Sequence, residues 1–271
     1  MTTDSIHDVI LSGTDGHVTT WTLNLPDSRN PISGAAVIDR LVALVEAANE
    51  DYNTRVVILT GAGTAFSAGG NVKDMAAREG LFGGTPQQQR EGYRRGIQRI
   101  PKAMYNCEVP IIAAVNGAAI GAGCDLAMMC DMRVASTRAF FAESFVKLGI
   151  IPGDGGAWLL PRAIGLARAA EMTFTGDRVD AQTALDWGMV SRVVEPADLL
   201  ACAQELAARV AVNPPHTLRM TKTLLRESQR QGLDGLLELS AAMQPLAHHT
   251  EDHAEAISAF MEKRPGDFIG Q

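Results

Sequence analysis

The sequence predicts an α/β fold, with a mixed core over residues 1–195 followed by a helical region over residues 196–271. Two short, continuous apolar runs at residues 55–60 and 111–115 are typical of strands that are buried on both faces of a parallel sheet. Helical patterns lie between these runs, and parallel strands joined by helices imply right-handed crossovers. Because only helical patterns follow residue 196, we predict that the sheet is completed before that point.

A β-hairpin and a helix are predicted at the start of the core. The runs at residues 8–11 and 18–24 have β-type patterns, and the Asp-Gly pair within residues 13–16 is a strong hairpin signal. A helix is predicted over residues 36–49, where apolar residues recur at helical spacing. These apolar residues are Val37, Leu41, Leu44, Val45 and Ala48.

The middle of the core contains one predicted amphipathic helix over residues 87–105, just before the second buried strand. The preceding segment, EGLFGGTP at residues 79–86, has three glycines, a proline and few side chains that could pack. We therefore expect a weakly ordered surface segment there.

Four helices are predicted in the C-terminal region, over residues 197–212, 214–230, 233–248 and 251–263. Asn-Pro-Pro at residues 213–215, Gly232 and Thr250 separate them. The last two helices carry His248, His249 and His253, but no cysteine or acidic cluster completes a metal motif. We expect these histidines to be solvated side chains.

Composition excludes several classes of protein. With 24 Lys and Arg against 31 Asp and Glu, the net charge of −7 argues against a nucleic-acid partner. The four cysteines form no CxxC pair and no disulfide framework, which fits a reducing compartment. No segment reaches the ~18 apolar residues of a membrane span, and the N-terminus lacks a secretion pattern. We expect a soluble, cytoplasmic protein without a membrane partner.

Two turns made of small residues each follow a buried strand, at residues 66–75 and 116–127. The first N–H groups of a helix are free and favour negative charge, although either turn alone also fits a tight connection without a ligand. A dinucleotide motif is excluded because Leu126 stands where its third glycine is required, and no Walker motif is present. Two such turns in one parallel sheet could each direct an N–H at one carbonyl oxygen, forming an oxyanion hole.

Five segments are similar to the crotonase superfamily, the enoyl-CoA hydratase/isomerase family of acyl-CoA enzymes. They are FSAGGNVKDM at 66–75, PIIAAVNGAAIGAGCDLAMMCDMRVAS at 110–136, KLGIIPGDGGAWLLPRAIG at 147–165, TGDRVDAQTALDWGMVSRVV at 175–194 and ISAFMEKRPGDF at 257–268. This resemblance implies a crotonase-like spiral of ββα repeats with a helical C-terminal trimerisation region. It also implies an acyl-CoA substrate, no metal or redox cofactor, and a homotrimer or a dimer of trimers.

The resemblance implies that the backbone N–H groups of Gly70 and Ala122 hold the thioester carbonyl, and Ala122 retains its N–H although the family usually has glycine there. Removing one such donor typically raises the activation barrier for enolate formation by about 3 kcal/mol. The resemblance further implies contacts to coenzyme A from two groups of residues. The loop residues are Ser67, Ala68, Asn71 and Val72, and the other contacts come from Arg29, Lys73 and, across a subunit boundary, Phe260 and Lys263.

The acids depart from the family's hydratases, which use two glutamates. The first position is Asp125, whose side chain is one methylene shorter than glutamate and would lie further from the reacting water. The second position is Phe145, which cannot move a proton. Asp154 lies one residue beyond the position where isomerases of the family carry a working aspartate, but a helix N-cap role is equally open. Asp125 also fits a first-turn acid that satisfies the helix dipole. Glu143 is the third candidate and ranks below Asp154.

These features predict an enzyme that stabilises a thioester enolate and catalyses enoyl-CoA isomerisation or hydration. Isomerisation is favoured because a single carboxylate can shuttle one proton, whereas water addition usually needs two groups. Two alternatives stay open because of Phe145: a non-catalytic acyl-CoA-binding homologue, or another reaction of the family such as decarboxylation or thioester hydrolysis. Cys124 is expected to be a small buried side chain and not a nucleophile.

Overall fold

The computed structural model of the protein describes residues 9–271. Its strands, in chain order, are β1 (Ile10–Asp15), β2 (Val18–Leu23), β3 (Val56–Gly61), β4 (Ala65–Ser67), β5 (Ile111–Val115), β6 (Ala118–Ile120), β7 (Met132–Ser136), β8 (Phe140–Ala142), β9 (Arg178–Asp180) and β10 (Arg192–Val194). Its helices are α1 (Ala35–Glu50), α2 (Val72–Ala77), α3 (Pro86–Arg95), α4 (Arg99–Asn106), α5 (Ala122–Met129), α6 (Gly156–Ile164), α7 (Leu166–Thr175), α8 (Ala181–Asp186), α9 (Leu199–Ala211), α10 (Pro215–Glu227), α11 (Leu233–His248) and α12 (Glu251–Glu262).

The strands form two sheets, and each ββα repeat contributes strands to both of them. The first sheet has the order β1-β2-β3-β5-β7-β10 and the second has the order β4-β6-β8-β9. All pairs are parallel except the β1/β2 and β8/β9 pairs. Because β3, β5 and β7 lie in one sheet while β4, β6 and β8 lie in the other, each successive ββ unit contributes one strand to each sheet. The predicted spiral of ββα repeats is therefore confirmed.

The N-terminal hairpin forms as predicted, with different bounds. Strand β1 continues through the predicted turn to Asp15, which pairs with Val18 across a two-residue loop. Gly16 occupies the first position of that loop with φ +56°, a conformation that glycine adopts without strain. The predicted first strand began at residue 8, which lies outside the described residues.

The predicted helix over residues 87–105 is wrong as a single element, because the structure divides it into α3 and α4. Gly96 ends α3 with φ −105° and ψ −112°, which is not helical. A Cβ at Gly96 would overlap the carbonyl oxygen of Gly92, so this break requires glycine. Helix α1 and the four C-terminal helices agree with their predictions to within about three residues.

The segment at residues 79–86 has more local structure than the sequence predicted. A 3₁₀ helix covers Gly80–Phe82, and Leu81 packs against the main core. Thr85 and Gln88 form a capping box at the start of α3. This segment is therefore folded against the body of the protein.

Helix α9 packs on the outer face of the first sheet. Its residues Leu199, Ala203 and Ala207 form a second core cluster with apolar residues of β3, β5 and β7. The end of the chain also packs against the core. The Arg55 guanidinium donates to the carbonyl of Phe268, and the Asp252 carboxylate accepts hydrogen bonds from the N–H groups of Ile269 and Gly270.

The division into domains at residues 195 and 196 stays a prediction. Over residues 9–271, no helix is both long enough and apolar enough to cross a membrane.

Candidate active site

The two small-residue turns meet, as the sequence predicted. Strands β4 and β6 pair in parallel, so the turns that follow them lie side by side. Gly69 has φ +81°, and a Cβ there would overlap the carbonyl oxygen of Ile120 and come within 3.0 Å of the Ala122 nitrogen. The approach of the two turns therefore depends on glycine at position 69.

Two backbone N–H groups at this junction have no acceptor within the part of the chain that the structure describes. They belong to Gly70, in the first turn, and to Ala122, the first residue of α5, where helix geometry leaves the N–H free. The flanking amides are used instead: Gly69 donates to Ser67 Oγ, Asn71 to Ser33 Oγ, and Gly121 to the Ala142 carbonyl. The two N–H groups predicted to form an oxyanion hole are thus available to a ligand.

Apolar side chains surround these two amides. The Cε of Met75 lies 2.8 Å, and the Phe82 ring 3.8 Å, from the position that a Cβ would take at Gly70. The Phe145 ring lies 3.5 Å from the corresponding position at Gly121, and this side chain is almost fully buried. Phe145 therefore forms part of the wall beside the amides. Such surroundings strengthen the attraction between an N–H group and a developing negative charge.

The predicted coenzyme A loop is held by its own side chains. Ser67 is fully buried and its hydroxyl donates to the Asn30 carbonyl at 2.7 Å, so it shapes the turn. Asn71 caps α2 by accepting the Lys73 N–H. Ala68 is half-buried and donates its N–H to the Arg29 carbonyl at 2.8 Å.

The predicted basic and tail contacts lie on the surface. Arg29, Val72 and Lys73 are exposed and flank the loop at residues 66–71. Phe260, at 80% exposure, lies on α12, and Lys263 follows that helix. In this single chain, the tail residues are therefore open to a partner or ligand.

All three candidate carboxylates come together next to this junction. Asp125 lies in the first turn of α5, Glu143 directly follows β8, and Asp154 precedes α6. Their exposures are 0%, 1% and 5%, and the Asp125 and Glu143 oxygens have no hydrogen-bond donor in the chain. The sequence left these residues as alternatives, whereas the structure places them in one buried cluster.

Burial raises the pKa of every carboxyl in this cluster. It raises the pKa of Asp154 to about 6. It raises the pKa of Glu143 to about 7, against the opposing effect of the neighbouring Asp125 and Cys124 side chains. Burial, followed by the charge of Glu143, raises the pKa of Asp125 well above its usual range. Groups with pKa values near neutrality are suited to proton transfer.

The helix-cap alternative for Asp154 is wrong. Helix α6 begins at Gly156 with Gly155 as its N-cap, and no side chain caps it. The buried Oδ1 of Asp154 has no hydrogen-bond partner in the chain. This carboxyl is therefore not used by the helix.

Sequence reasoning missed two residues that support the Asp154 loop. Gln98 donates from its side chain to the Gly153 carbonyl at 3.0 Å, and the Tyr93 ring lies 3.1 Å from the position of a Cβ at Gly153. Burial, together with the charge of Asp154, raises the pKa of the Tyr93 phenol. No local pattern identifies these residues, because Gln98 lies 55 positions before its partner.

A cavity of about 440 Å³ lies beside the acid cluster. It reaches Gly155 but none of the three carboxylates, and its wall includes Trp158 and Tyr105, whose rings meet edge to face at 5.4 Å. Met129, at the C-terminal end of α5, closes the cavity on the side of the acid-bearing helix.

Cys124 and the histidines of the tail lie in the surroundings that the sequence predicted for them. Cys124 is fully buried and burial raises the pKa of its thiol well above the usual value, as expected for an inert side chain. His248 and His253 contact each other on the surface at 3.1 Å. Within residues 9–271, no group of three His, Cys, Asp or Glu side chains has the arrangement of a metal site.

Known proteins resemble this chain in both sequence and structure. Residues 13–271 match the model of the enoyl-CoA hydratase/isomerase family. The chain is 38% identical over 251 residues to the 2,3-dehydroadipyl-CoA hydratase of Escherichia coli, covering 92% of this chain and 94% of that protein. It is 34% identical over 268 residues to the 1,2-epoxyphenylacetyl-CoA isomerase of Escherichia coli, covering 97% and 99%.

The crystal structure of an enoyl-CoA hydratase from Bacillus anthracis matches the fold with a TM-score of 0.90 and 35% identity, over 97% of this chain and 100% of that one. The sequence match extends through the turns, the acid cluster and the tail. The chain is therefore an enzyme of the enoyl-CoA hydratase/isomerase family.

Proposed function

We propose that the protein isomerises the double bond of an enoyl-CoA thioester, with Asp154 as the base. The observation that carries this proposal is a buried carboxyl, Asp154, whose Oδ1 has no partner and which lies two residues before Gly156. Gly156 in turn contacts Asp125, on the helix that begins with the free N–H of Ala122. Phe145 stands where the family's hydratases have their second glutamate, so the group that would activate water is absent from that position.

The N–H groups of Gly70 and Ala122 bind the thioester carbonyl oxygen in this proposal. They stabilise the negative charge that develops on that oxygen when a proton leaves the adjacent carbon. The apolar side chains of Met75, Phe82 and Phe145 keep competing water away from the two donors. Removing one such donor typically costs about 3 kcal/mol of barrier.

Asp154 then moves one proton between two carbons. The C–H bond next to the carbonyl breaks, its proton goes to the Asp154 carboxylate, and its electron pair is delocalised over the dienolate. Asp154 returns the proton to the far end of the dienolate, which relocates the double bond. Because only a proton moves, we propose that no metal or redox cofactor takes part.

Hydration is the second candidate, because Asp125 and Glu143 add two further carboxyls to the cluster. A purely acyl-CoA-binding role is less well supported. Burying an unpaired carboxyl costs stability, and binding alone gains nothing from three of them. Decarboxylation and thioester hydrolysis have no specific observation in their favour.

Coenzyme A binding is proposed at the loop that includes Ala68, Asn71 and Val72. The exposed Arg29 and Lys73 flank this loop and would meet phosphates, which the net charge of −7 would otherwise repel. Ser67 would act by shaping the loop, because its hydroxyl is already bonded within the chain.

The tail is proposed to assemble a homotrimer or a dimer of trimers. It exposes a set of large apolar side chains, and such surfaces mark subunit contacts. They are Leu233, Leu237, Leu246, Ile257, Phe260 and Met261. Phe260 and Lys263 would thereby reach the coenzyme A of a neighbouring subunit. The four free cysteines support a cytoplasmic location.

Deuterium exchange tests the proposed reaction. A 3-enoyl-CoA incubated with the enzyme in D₂O should become a 2-enoyl-CoA, and solvent deuterium should enter the product in those turnovers in which the Asp154 carboxyl exchanges its proton with solvent before returning one. Asp154→Asn should abolish this incorporation while calorimetry still detects binding of the thioester. Asp15→Asn is the matched control, because Asp15 is exposed at the hairpin and the Asn-Gly pair suits the same turn.

Two outcomes would contradict the proposal. If the Asp154→Asn variant keeps full exchange, Asp154 is not the base. If the wild-type enzyme instead converts a 2-enoyl-CoA to the 3-hydroxyacyl-CoA and never isomerises, hydration is the correct reaction. Absence of any affinity for CoA thioesters would remove the oxyanion-hole assignment as well.

A further inference from the structure

The loop that carries Asp154 is held in place by very few hydrogen bonds. Residues 151–154 lie between a 3₁₀ turn and α6 and belong to no helix or strand. None of their backbone groups pairs with another backbone group of the described chain. Over these four residues the described chain forms a single hydrogen bond, from the Gln98 side-chain amide to the Gly153 carbonyl at 3.0 Å. The position of the loop therefore depends on contacts from elsewhere in the chain.

Those contacts come from the adjoining ends of α3 and α4. The Tyr93 ring lies 3.1 Å from the position that a Cβ would take at Gly153. The Cβ of Pro101 lies 3.4 Å from the corresponding position at Gly155, which also has φ +110°. The two glycines flank Asp154, so the two helices contact the loop on both sides of the residue that carries the carboxyl.

Gln98 is itself anchored in the core. It is the N-cap residue of α4, and its backbone N–H donates to the Tyr93 carbonyl at 3.0 Å. Ile97 and Ile100, which lie one residue before and two residues after it, are 2% and 0% exposed within the main core. Because Gln98 is fixed and the loop is not, loss of their hydrogen bond should displace the loop.

The Asp154 carboxyl has little support beyond its own backbone. The side chain is 5% exposed, and its buried Oδ1 has no hydrogen-bond partner in the described chain. A displacement of the loop would therefore displace the carboxyl with it. Proton transfer depends on close alignment, and a shift of about 1 Å in a reacting group can lower the rate about 100-fold.

We propose that Gln98 is a positioning residue, whose hydrogen bond to the Gly153 carbonyl fixes the Asp154 carboxyl in the place from which it transfers the proton. Gln98 acts only through the loop and transfers no proton itself. The role of Asp154 as the base rests on the proposed function, whereas the anchoring of the loop by Gln98 does not.

The kinetics of Gln98→Met test the proposal, because methionine is similar in length and volume but has no donor. The kcat for isomerisation of a 3-enoyl-CoA should fall about 100-fold, while KM should change little because the N–H groups of Gly70 and Ala122 are retained. Gln204→Met, the same substitution at an exposed position of α9, is the control and should keep the wild-type kcat. A merely structural role would lower stability without lowering the kcat of the folded enzyme.

Titration of Asp154 in the resting enzyme is a second readout that needs no substrate. Infrared spectroscopy of protein labelled with ¹³C-aspartate follows the protonated carboxyls, and the Asp154 band is the one that is absent from Asp154→Asn. In wild type the midpoint should lie at about pH 6, because burial raises the pKa of this carboxyl. In Gln98→Met the loop should move toward water, so the midpoint should fall toward the ordinary 3.8.

The two readouts separate this proposal from the proposed function. If wild type isomerises the substrate, a lowered kcat in Gln98→Met supports the positioning role, and an unchanged kcat or a change in KM alone overturns it. If wild type does not isomerise, the proposed function is wrong and the titration decides: a lowered midpoint supports the anchoring, and an unmoved midpoint overturns it.

A second variant keeps the test decisive if Gln98→Met does not fold, which near-UV circular dichroism detects. Gln98→Asn retains the amide but is one methylene shorter, so it should not reach the Gly153 carbonyl. It should therefore lower kcat and the Asp154 midpoint in the same direction. Wild-type values of both in folded Gln98→Asn would overturn the proposal.

Discussion

Asp154→Asn should stabilise the protein while abolishing its proposed activity. Burial raises the pKa of Asp154 from the ordinary 3.8 to about 6, and the side chain is only 5% exposed. A carboxyl whose pKa is raised on folding contributes stability that is fully present below its unfolded pKa and is lost as the pH rises through its folded pKa. For Asp154, the loss therefore occurs between about pH 4 and pH 6.

The size of this effect follows from the same pKa values. A tenfold change in proton affinity corresponds to about 1.4 kcal/mol, so holding Asp154 ionised above its folded pKa costs about 3 kcal/mol. Asparagine removes the charge at nearly constant volume. The variant should therefore gain up to about 3 kcal/mol in free energy of unfolding at about pH 8, and almost nothing at about pH 4.

Urea denaturation at several pH values measures this gain by linear extrapolation. Subunit concentration must be held constant, because association adds to apparent stability. Asp15→Asn, which removes an exposed charge, should follow the wild-type curve at every pH. The reasoning is refuted if Asp154→Asn is no more stable than wild type at about pH 8, or if its gain is the same at about pH 4.

Three further predictions concern the same site. The isomerisation rate of the wild-type enzyme should fall as the pH drops through about 6, because Asp154 becomes protonated; a rate profile that stays flat through this range excludes it as the base. Ala122→Pro should lower kcat by about 100- to 1000-fold with little loss of stability, since proline is tolerated at the first position of a helix but has no N–H; unchanged turnover would contradict the donor role. Gly69→Ala should abolish thioester binding in calorimetry, because the new Cβ would separate the two turns; wild-type affinity would show that their approach is unimportant.

Most of the fold could be predicted because its signals are local. Helix α1 and strands β3 and β5 are encoded by the spacing of their own apolar residues, and the structure reproduces them within about two residues. The division of residues 87–105 into two helices could not be predicted in this way. It depends on a backbone contact at Gly96, and an isolated glycine within a helical pattern does not specify whether the helix continues.

The oxyanion turns could also be predicted, because small residues after a buried strand are a local pattern. The sequence ranked Asp154 above Glu143, but it could not assign the role of each acid, since that role depends on direction in space. Glu143 leaves β8 with ψ 65°, so strand alternation does not give its orientation. Asp154 fits a helix cap by sequence, but the helix begins one residue too late for it. Tyr93 and Gln98 contact the Asp154 loop from a distant segment that no motif marks.

The position of Phe145 bears on the choice between isomerisation and hydration. Water addition usually needs two groups that both reach one water. Here Phe145 stands where hydratases of the family have their second glutamate, and its ring lies 3.5 Å from the position of a Cβ at Gly121. A single base is sufficient to move a proton from one carbon to another, and the buried Oδ1 of Asp154 has no hydrogen-bond partner in the described chain. The replacement of the second acid by an apolar ring therefore favours isomerisation.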